Sequence, residues 1–310
     1  MHDFFVDRLV HTGGIRELAS SVTEKANQGG GGIHRILQEE IRGGNAVNLA
    51  HALARLGLRV LLITHSDETY ESLLKRPFEG LDAEIRAKPR PPGLTVALEG
   101  EVNVMLGHGG GTEDFGPELL DADDWKSLES AKVVCSVNWA ANAQGTALLS
   151  ALRRKLGAKK QIYFDPADFR DRVEEFASLL SRIRVHHLVD WMSLNEEEAH
   201  ATGRILEMDN EDLGKVCSSV SKDLGVGLDV HTAAGSYSAA GGRVAFDKTM
   251  EVKALRLTGA GDVWDAGSIY GRLKNLGDEA RLRFANTAAR LYISAKNPTP
   301  PELEDVLKTM

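Results

Sequence analysis

Apolar positions along the chain follow two spacings, which predict β-strands that alternate with α-helices. Short apolar runs, typical of strands buried on both faces of a parallel sheet, occupy 58–64, 132–137, 161–165, 187–194 and 228–232. Apolar residues recur at helical spacing over 46–56, 143–156, 171–183, 211–224 and 281–296. This alternation predicts an α/β fold of three layers (αβα), with a mostly parallel central sheet covered by helices on both faces. The length allows a single domain over 1–310 or two ordinary domains.

One segment breaks this rhythm. Residues 94–98 and 102–106 alternate around 99–101, which predicts a β-hairpin. A hairpin is foreign to a series of strand–helix units, so we expect it to leave the main sheet and form a small β lid from parts of 5–42 and 93–107. The other predictions are a strand over 3–10, a polar glycine-rich loop over 12–32, a strand or a helix over 33–41, a hairpin over 237–246 and a strand over 251–257.

Composition narrows the class of protein. A formal net charge of −8 argues against nucleic acid as the main partner, because phosphate backbones need basic surfaces. No run of 18 apolar residues and no signal-peptide pattern is present, so neither a membrane span nor secretion is expected. Cys135 and Cys217 are the only cysteines, which argues against a disulfide scaffold or a structural zinc site and favours a reducing cytoplasm.

A turn of small residues, Gly259-Ala260-Gly261, lies between a predicted strand and a predicted helix. The backbone N–H groups of such a turn point in one direction at the positive end of the helix dipole, where they can hold a phosphate. The next residue, Asp262, would repel a resting phosphate but is suited to take a proton from a hydroxyl group that attacks it. The alternative is a glycine turn in which Asp262 is only a helix cap.

A second glycine pair, Gly43-Gly44, precedes the helix predicted over 46–56. Two glycines let the backbone approach a ligand closely, and Asn48, one turn into the helix, can point to the same place. The alternatives are a tight entry turn for the glycines and a surface amide for Asn48.

Polar residues also follow several predicted strands, namely Asp165, Asn195, Glu198 and Thr232. Ligands of doubly wound sheets bind at the carboxyl ends of the strands. Carboxylates and an amide at that edge can hold hydrated Mg²⁺, and a threonine hydroxyl can contact nucleotide phosphates. Taken alone, each of these residues is more often a helix cap than a ligand-binding residue.

Together these motifs resemble those of the ribokinase, or PfkB-type, family of carbohydrate kinases. The stretch 43–57 is similar to the family's N-terminal motif, and Thr258-Gly259-Ala260-Gly261-Asp262 resembles its C-terminal motif. Asn195 and Glu198 are similar to its N-x-x-E motif. The resemblance spans the whole chain, and the absence of a GxxxxGK[ST] sequence agrees with a family that has no P-loop.

The resemblance implies a kinase that transfers the γ-phosphate of ATP to a hydroxyl group of a sugar or sugar derivative, with Mg²⁺. A monovalent cation such as K⁺ is a further candidate. It implies that Asp262 is the general base and that Gly259, Ala260 and Gly261 form the anion hole. It assigns Asp7, Gly43, Gly44 and Asn48 to the substrate, Asn195, Thr232, Gly235 and Asn286 to the nucleotide, and Glu198 to the metal.

The sequence departs from the family pattern at several points. Only 1–6 precede Asp7, where the family has a full hydrophobic strand, and Trp264 stands where phenylalanine is usual. Thr258 follows Leu257, where the family often has Asp-Thr. Residues 12–42 are long and rich in glycine, which leaves the acceptor open among hexoses, ribose, nucleosides, keto-deoxy acids and phosphosugars.

Several functions compete with a sugar kinase. A nucleoside or phosphosugar kinase of the same family is one, and a non-catalytic sugar- or nucleotide-sensing protein of the same fold is another. A dinucleotide-dependent oxidoreductase is disfavoured because Trp264 stands where its third glycine belongs and because the turn lies late in the chain.

Two features near the lid bear on its partners. Arg42, His34 and Arg35, with the glycines of 29–32, can hold an anionic group of a substrate, or they can be solvated charges on a flexible loop. An apolar face on the lid would pair with a second copy of the chain, so we expect a homodimer through the lid.

Overall fold

The computed structural model describes residues 2–99, 103–297 and 299–310, and the tip of the predicted hairpin at 100–102 lies outside this range. The strands are Phe5–His11 (β1), Leu37–Gly43 (β2), Val60–Ser66 (β3), Ala83–Pro89 (β4), Gly93–Glu99 (β5), Asn103–His108 (β6), Val133–Val137 (β7), Gln161–Asp165 (β8), Trp191–Asn195 (β9), Gly227–His231 (β10), Gly235–Ala240 (β11) and Arg243–Lys248 (β12). The helices are Ile15–Asn27 (α1), Asn45–Arg55 (α2), Glu71–Lys75 (α3), Ala122–Ser130 (α4), Gly145–Leu156 (α5), Val173–His186 (α6), Glu196–Ile205 (α7), Leu213–Leu224 (α8), Ala260–Leu273 (α9), Asp278–Ser294 (α10) and Leu303–Thr309 (α11). None of the helices in the described residues is long and apolar enough to cross a membrane.

The central sheet has six strands in the order β12-β11-β10-β9-β8-β7. Strands β7 to β10 run parallel, and the hairpin of β11 and β12 adds two antiparallel strands at one edge. Strands β3 and β4 form a separate parallel pair. The mostly parallel sheet predicted from the strand–helix alternation is therefore confirmed.

Helices cover both faces of the sheet because successive side chains of each strand point to opposite sides. In β8, Ile162 and Phe164 pack in one hydrophobic cluster with α5, α6, α7 and α8. Tyr163, between them, packs in a second cluster with α2, α9 and α10. The three layers follow directly from this alternation.

A second sheet, which we call the lid sheet, consists of four strands in the order β2-β1-β5-β6. Strand β5 pairs with β6 on one side and with β1 on the other, and none of the three strands joins the central sheet. The chain enters this sheet from His2–Phe4, where the His2 carbonyl accepts a hydrogen bond of 3.1 Å from the Thr64 hydroxyl at the end of β3. The strand expected over 3–10 thus begins at Phe5 and lies in the lid sheet, and its first residues lie beside β3.

Some local predictions were wrong. Residues 15–27, expected in a loop, form α1, which buries none of its side chains and so carries only a weak apolar pattern. Residues 251–257, expected as a strand, have no regular structure and are mostly exposed. The ambiguous segment 33–41 contains most of β2. Helix α7, which follows Asn195 directly, was not predicted.

A buried ion cluster fixes α9 and α10 on the sheet. The carboxylate of Asp229 on β10 accepts hydrogen bonds from Arg272 at 2.7 Å, from Arg281 at 2.9 Å and from the hydroxyl of Ser268 at 2.8 Å. Although burial alone would raise the pKa of Asp229, the two guanidinium groups hold it well below its usual range. Every charge in the cluster thus has a partner, as buried charges require.

Asp229→Asn should therefore lower the free energy of unfolding by about 3 kcal/mol, because it removes the counter-charge of Arg272 and leaves the buried Arg281 only its longer ion pair with Asp278 at 3.3 Å. Denaturant unfolding followed by circular dichroism measures the change. The matched control is Asp223→Asn, which breaks an ion pair with Arg184 at the surface and should cost less than about 1 kcal/mol. Equal losses for the two variants would contradict the role assigned to the cluster.

Candidate active site

The carboxyl ends of the central strands meet the first turns of two helices. Asp165, Asn195 and His231 are the last residues of β8, β9 and β10, which lie side by side and run parallel. The register of the sheet pairs Asn195 with His231. Helices α2 and α9 begin at the same edge, so polar side chains and helix N-termini converge there, where ligands of doubly wound sheets bind.

The small-residue turn opens α9, as predicted. Gly259 has φ +83°, and a Cβ at this position would lie 2.8 Å from the hydroxyl oxygen of Tyr292, so only glycine fits. The N–H of Ala260 donates to the carbonyl of Leu257 at 3.1 Å. Among the described residues no acceptor receives the N–H groups of Gly261 and Asp262. These two donors are free to bind an anion at the positive end of the α9 dipole.

Asp262 is buried in the first turn of α9, with 7% of its surface exposed. Its Oδ2 accepts a hydrogen bond of 3.0 Å from the side-chain amide of Asn48 on α2. Burial and the nearby Asp165 carboxylate raise the pKa of Asp262 well above its usual value, whereas the Asn48 bond and the charge of Arg42 lower it. A carboxyl group with a raised pKa next to free N–H donors has the properties of a general base.

The N-terminus of α2 is held by Asp3, which was not predicted to belong to the site. Its carboxylate accepts hydrogen bonds from the backbone N–H groups of Asn45 at 2.7 Å and Ala46 at 2.8 Å, and from the amide of Asn138 at 2.9 Å. Gly44, just before the helix, has φ +99°, and a Cβ there would lie 2.9 Å from the Asp3 carbonyl oxygen. The glycine therefore lets the chain turn closely around Asp3.

Asp7 on β1 lies beside the first glycine of the pair. A Cβ at Gly43 would stand 2.0 Å from Oδ2 of Asp7, so a side chain at 43 would displace the carboxylate. Burial raises the pKa of Asp7 to about 6, against the effect of a hydrogen bond with Thr95. Asp7 is thus a buried acceptor for a hydrogen-bond donor such as a hydroxyl group.

Asn195 and Glu198 form a reciprocal cap at the start of α7. The Asn195 Oδ1 accepts from the Glu198 N–H, and the Glu198 Oε2 accepts from the Asn195 N–H, both at 2.9 Å. Burial and the charge of Asp165 raise the pKa of Glu198 to about 8. The described residues contain no group of three acidic, histidine or cysteine side chains arranged to hold a metal. The Glu198 and Asp165 carboxylates repel each other, and the charge of Arg170 offsets this repulsion only in part. Such a pair suits a hydrated Mg²⁺ held mainly by water and phosphate.

The loop after β10 is held by hydrogen bonds among its own residues. The Thr232 hydroxyl accepts hydrogen bonds from the N–H groups of Ala234 and Gly235 at 3.0 and 3.1 Å. A Cβ at Gly235 would lie 2.5 Å from the Asp247 carbonyl, so β11 and β12 can pair only with glycine there. Thr232 and Gly235 thus shape this loop.

Asn286 on α10 uses its whole amide within the protein. Its Oδ1 accepts from the Ser236 hydroxyl and the Trp264 indole, both at 2.9 Å, and its Nδ2 donates to the Asp247 carbonyl and carboxylate at 3.0 Å. This arrangement explains a tryptophan at 264, whose N–H fills one of the two acceptor positions. The amide has no donor left for a direct bond to a nucleotide, so Asn286 supports the loop instead.

Of the two alternatives for the charges near the lid, the structure does not bring Arg42, His34 and Arg35 together. His34 and Arg35 are exposed, whereas Arg42 is largely buried and donates to His51 at 3.0 Å. His231, another residue that sequence reasoning missed, lies against Gly261 and Trp264, and burial lowers its pKa to about 4. No local motif marks Asp3 or His231, because their partners are distant in the sequence.

Similarity to known proteins extends over most of this chain. A family model described as pfkB family carbohydrate kinase matches residues 37–305. A search of curated protein sequences finds no match.

Solved structures of low sequence identity share the fold. The ribokinase of Thermotoga maritima is 19% identical, with 99% of this chain and 97% of that chain covered and a TM-score of 0.79. The ribokinase of Arabidopsis thaliana, solved with ribose and ATP, is 20% identical, with 99% and 96% covered and a TM-score of 0.77. The adenosine kinase of Sinorhizobium meliloti is 19% identical, with 99% and 96% covered and a TM-score of 0.78.

The role of Asp3 gives a test. Asp3→Asn should lower the free energy of unfolding by about 2 kcal/mol, because an amide places N–H groups against the donors that the carboxylate satisfied. The comparison variant is Asp121→Asn, at the exposed cap of α4, with an expected loss of about 1 kcal/mol or less. An Asp3→Asn protein as stable as wild type in denaturant unfolding would show that α2 does not depend on this cap.

Proposed function

The chain belongs to the pfkB family of carbohydrate kinases, and from this premise we propose that it transfers the γ-phosphoryl group of ATP to a hydroxyl group of a sugar or a sugar-containing substrate. The observation that carries the proposal is the partly buried hydrogen bond of 3.0 Å between Asn48 and Asp262. It joins the two family motifs at the edge where the N–H groups of Gly261 and Asp262 are free. A base, a hydroxyl-binding amide and an anion site then lie together.

The acceptor binds on the side of α2 and the lid sheet. Asp7 and Asn48 hydrogen-bond hydroxyl groups of the acceptor, and the absence of side chains at Gly43 and Gly44 lets the ring approach the backbone. These contacts orient one hydroxyl group towards Asp262. Positioning of this kind supplies much of the rate in phosphoryl transfer.

Asp262 takes the proton of the attacking hydroxyl group as its oxygen forms a bond to the γ-phosphorus. The bond from that phosphorus to the bridging oxygen of ADP breaks, and ADP leaves with the electron pair. The free N–H groups at the start of α9 stabilise negative charge on the transferring group. The three products are the phosphorylated acceptor, ADP and a proton on Asp262.

The nucleotide binds across the turn from the acceptor. Asn195 and the loop of Thr232 and Gly235 line that side, and Asn286 holds the loop from behind through Trp264 and the β11–β12 hairpin. Glu198 and Asn195 would hold hydrated Mg²⁺, which when bound neutralises charge on the phosphates. The Arabidopsis ribokinase, which has this fold, was solved with ATP, and this supports ATP as the donor.

Asp262→Asn should lower turnover by about two orders of magnitude or more while substrate and nucleotide affinities stay nearly unchanged, because the amide keeps the shape but cannot take a proton. A coupled assay of ADP release across ribose, hexoses, nucleosides and sugar phosphates identifies the acceptor and then gives turnover.

The matched control is Asp305→Asn, the same change at the same position of the first turn of α11, which should leave turnover unchanged. Gly261→Val should instead weaken nucleotide-dependent steps, since its side chain meets the His231 ring. Circular dichroism confirms folding. A folded Asp262→Asn protein with wild-type turnover would refute the assignment.

We further propose that the chain forms a homodimer through the lid sheet. Leu94, Val104 and Leu106 lie on one face of that sheet and are 46%, 37% and 60% exposed. Asp7 lies on the opposite face, so a dimer built on the apolar face leaves the acceptor side open. Exposed apolar patches on open sheets favour such association.

Leu106→Asp should convert the dimer to a monomer in multi-angle light scattering, because it places a charge in the apolar contact. Met105→Asp makes the same change on the other face of β6, where the side chain is 52% exposed, and should leave the mass unchanged. A wild-type protein that stays monomeric at high concentration would contradict the dimer.

A further inference from the structure

Arg42, the second-to-last residue of β2, lies on the face of the lid sheet opposite to Asp7. The register pairs Arg42 with Val6, so its side chain leaves the sheet on the opposite face from that of Asp7. There Arg42 reaches α2, where its Nη2 donates to Nδ1 of His51 at 3.0 Å, and its guanidinium lies 5.6 Å from the ring centre of Phe78. Arg42 therefore does not line the acceptor side with Asp7.

Within the part of the chain that the structure describes, no side-chain carboxylate forms an ion pair with the guanidinium group of Arg42. Its Nε and Nη1 are buried without a hydrogen-bond partner among the described residues. Burial lowers its pKa to about 10, which still leaves it cationic at neutral pH. Burial and the charges of Arg42 and Arg55 lower the pKa of His51 to about 3, so the histidine is neutral and offers no counter-charge. A buried, unpaired cation is costly and needs a compensating charge nearby.

That charge is Asp262. Asn48 and His51 are three residues apart on α2, so they lie on one face of the helix. Asn48 binds the Asp262 carboxylate and His51 binds Arg42, each at 3.0 Å. The cation and the carboxylate are thus both held on one face of α2. Each charge favours the other, since Arg42 lowers the pKa of Asp262 and Asp262 raises that of Arg42.

The other elements around Asp262 mostly oppose its ionisation. The titratable and charged groups that face it are Asp165 at the end of β8, Asp3 before β1, Asp265 on α9, Tyr292 on α10, the neutral His231 at the end of β10, and Arg42. Three of these are carboxylates, and their repulsion favours the protonated form of Asp262. A protonated Asp262 cannot accept the hydroxyl proton.

We propose that Arg42 is a positioning residue for the reaction: its positive charge opposes protonation of the Asp262 carboxylate and so widens the pH range in which Asp262 can act as the base. This inference rests on the proposed function of Asp262. It makes the effect of Arg42 dependent on pH and on Asp262, which a purely structural role would not.

The first test is the pH profile of turnover. Arg42→Met should move the acid limb of the kcat profile upward by about one pH unit or more, because a neighbouring cation lowers a carboxyl pKa by roughly that amount. Arg42→Lys keeps the charge, so the acid limb of its kcat profile should lie close to the wild-type position. Arg55→Met removes a cation from α2, where Arg55 pairs with Glu302 at 3.1 Å, and should not move the acid limb.

The second test needs no activity. Asp262 has a raised pKa in the folded protein, so stability falls as pH rises from the unfolded pKa towards the folded one. Without the charge of Arg42 the pKa of Asp262 in the folded protein is higher still, so stability continues to fall up to a higher pH. In urea unfolding at pH 5 to 9, Arg42→Met should lower the midpoint progressively more as pH rises, and this pH-dependent part should vanish in the Asp262→Asn background.

Each outcome decides between accounts. A pH-dependent loss that disappears with Asp262→Asn, together with a shifted acid limb, supports the inference. A loss of stability that is the same at all pH values, in both the wild-type and the Asp262→Asn backgrounds, overturns the inference. An unshifted acid limb together with a raised KM for anionic acceptors also overturns it, because that result would assign Arg42 to acceptor binding. A wild-type protein that phosphorylates none of the acceptors would overturn the proposed function, while the urea series still decides the coupling. If Arg42→Met does not fold, Arg42→Gln replaces it in both series.

Discussion

The hydrogen bond between Asn48 and Asp262 links two helices that begin at the same sheet edge, and the site depends on it. The two residues are 214 positions apart in the sequence, and each lies in the first turns of its helix. Because both helix N-termini carry partial positive charge, the bond brings two electropositive ends to one place and sets a carboxylate between them. Behind this contact, Asp3 fixes the start of α2 and the Asp229 cluster fixes α9.

The electrostatics of the site follow from gathering carboxylates where water is excluded. Burial, reinforced by neighbouring carboxylates, raises the pKa of Asp7 and Asp165 to about 6 and that of Glu198 to about 8. Carboxylates gathered in this way favour hydrogen-bond donors and divalent cations, which relieve the repulsion. The free N–H groups of the α9 turn provide the complementary place for an anion.

How much could be read from the sequence depended on how local each signal was. The strand at 161–165 and the glycine turn that opens α9 were predicted at their observed positions, because apolar runs and small-residue turns are local patterns. Helix α1 was missed since it buries no side chain, and 251–257 alternates without a partner strand. Asp3 was missed because its hydrogen-bond partners are 42, 43 and 135 residues away. The family resemblance assigned Asn286 to the nucleotide, and only the structure shows that its amide already has protein partners.

The central claim is that one cleft brings an acceptor hydroxyl group, Asp262 and the start of α9 together. A crystal structure of the protein with a non-hydrolysable ATP analogue, Mg²⁺ and the acceptor found by the ADP-release screen tests it most directly. The account predicts the acceptor hydroxyl oxygen within about 3 Å of an Asp262 carboxylate oxygen. It also predicts γ-phosphate oxygens at hydrogen-bonding distance from the N–H groups of Gly261 and Asp262. An acceptor bound with no hydroxyl group near Asp262, or phosphates away from the turn, would contradict it.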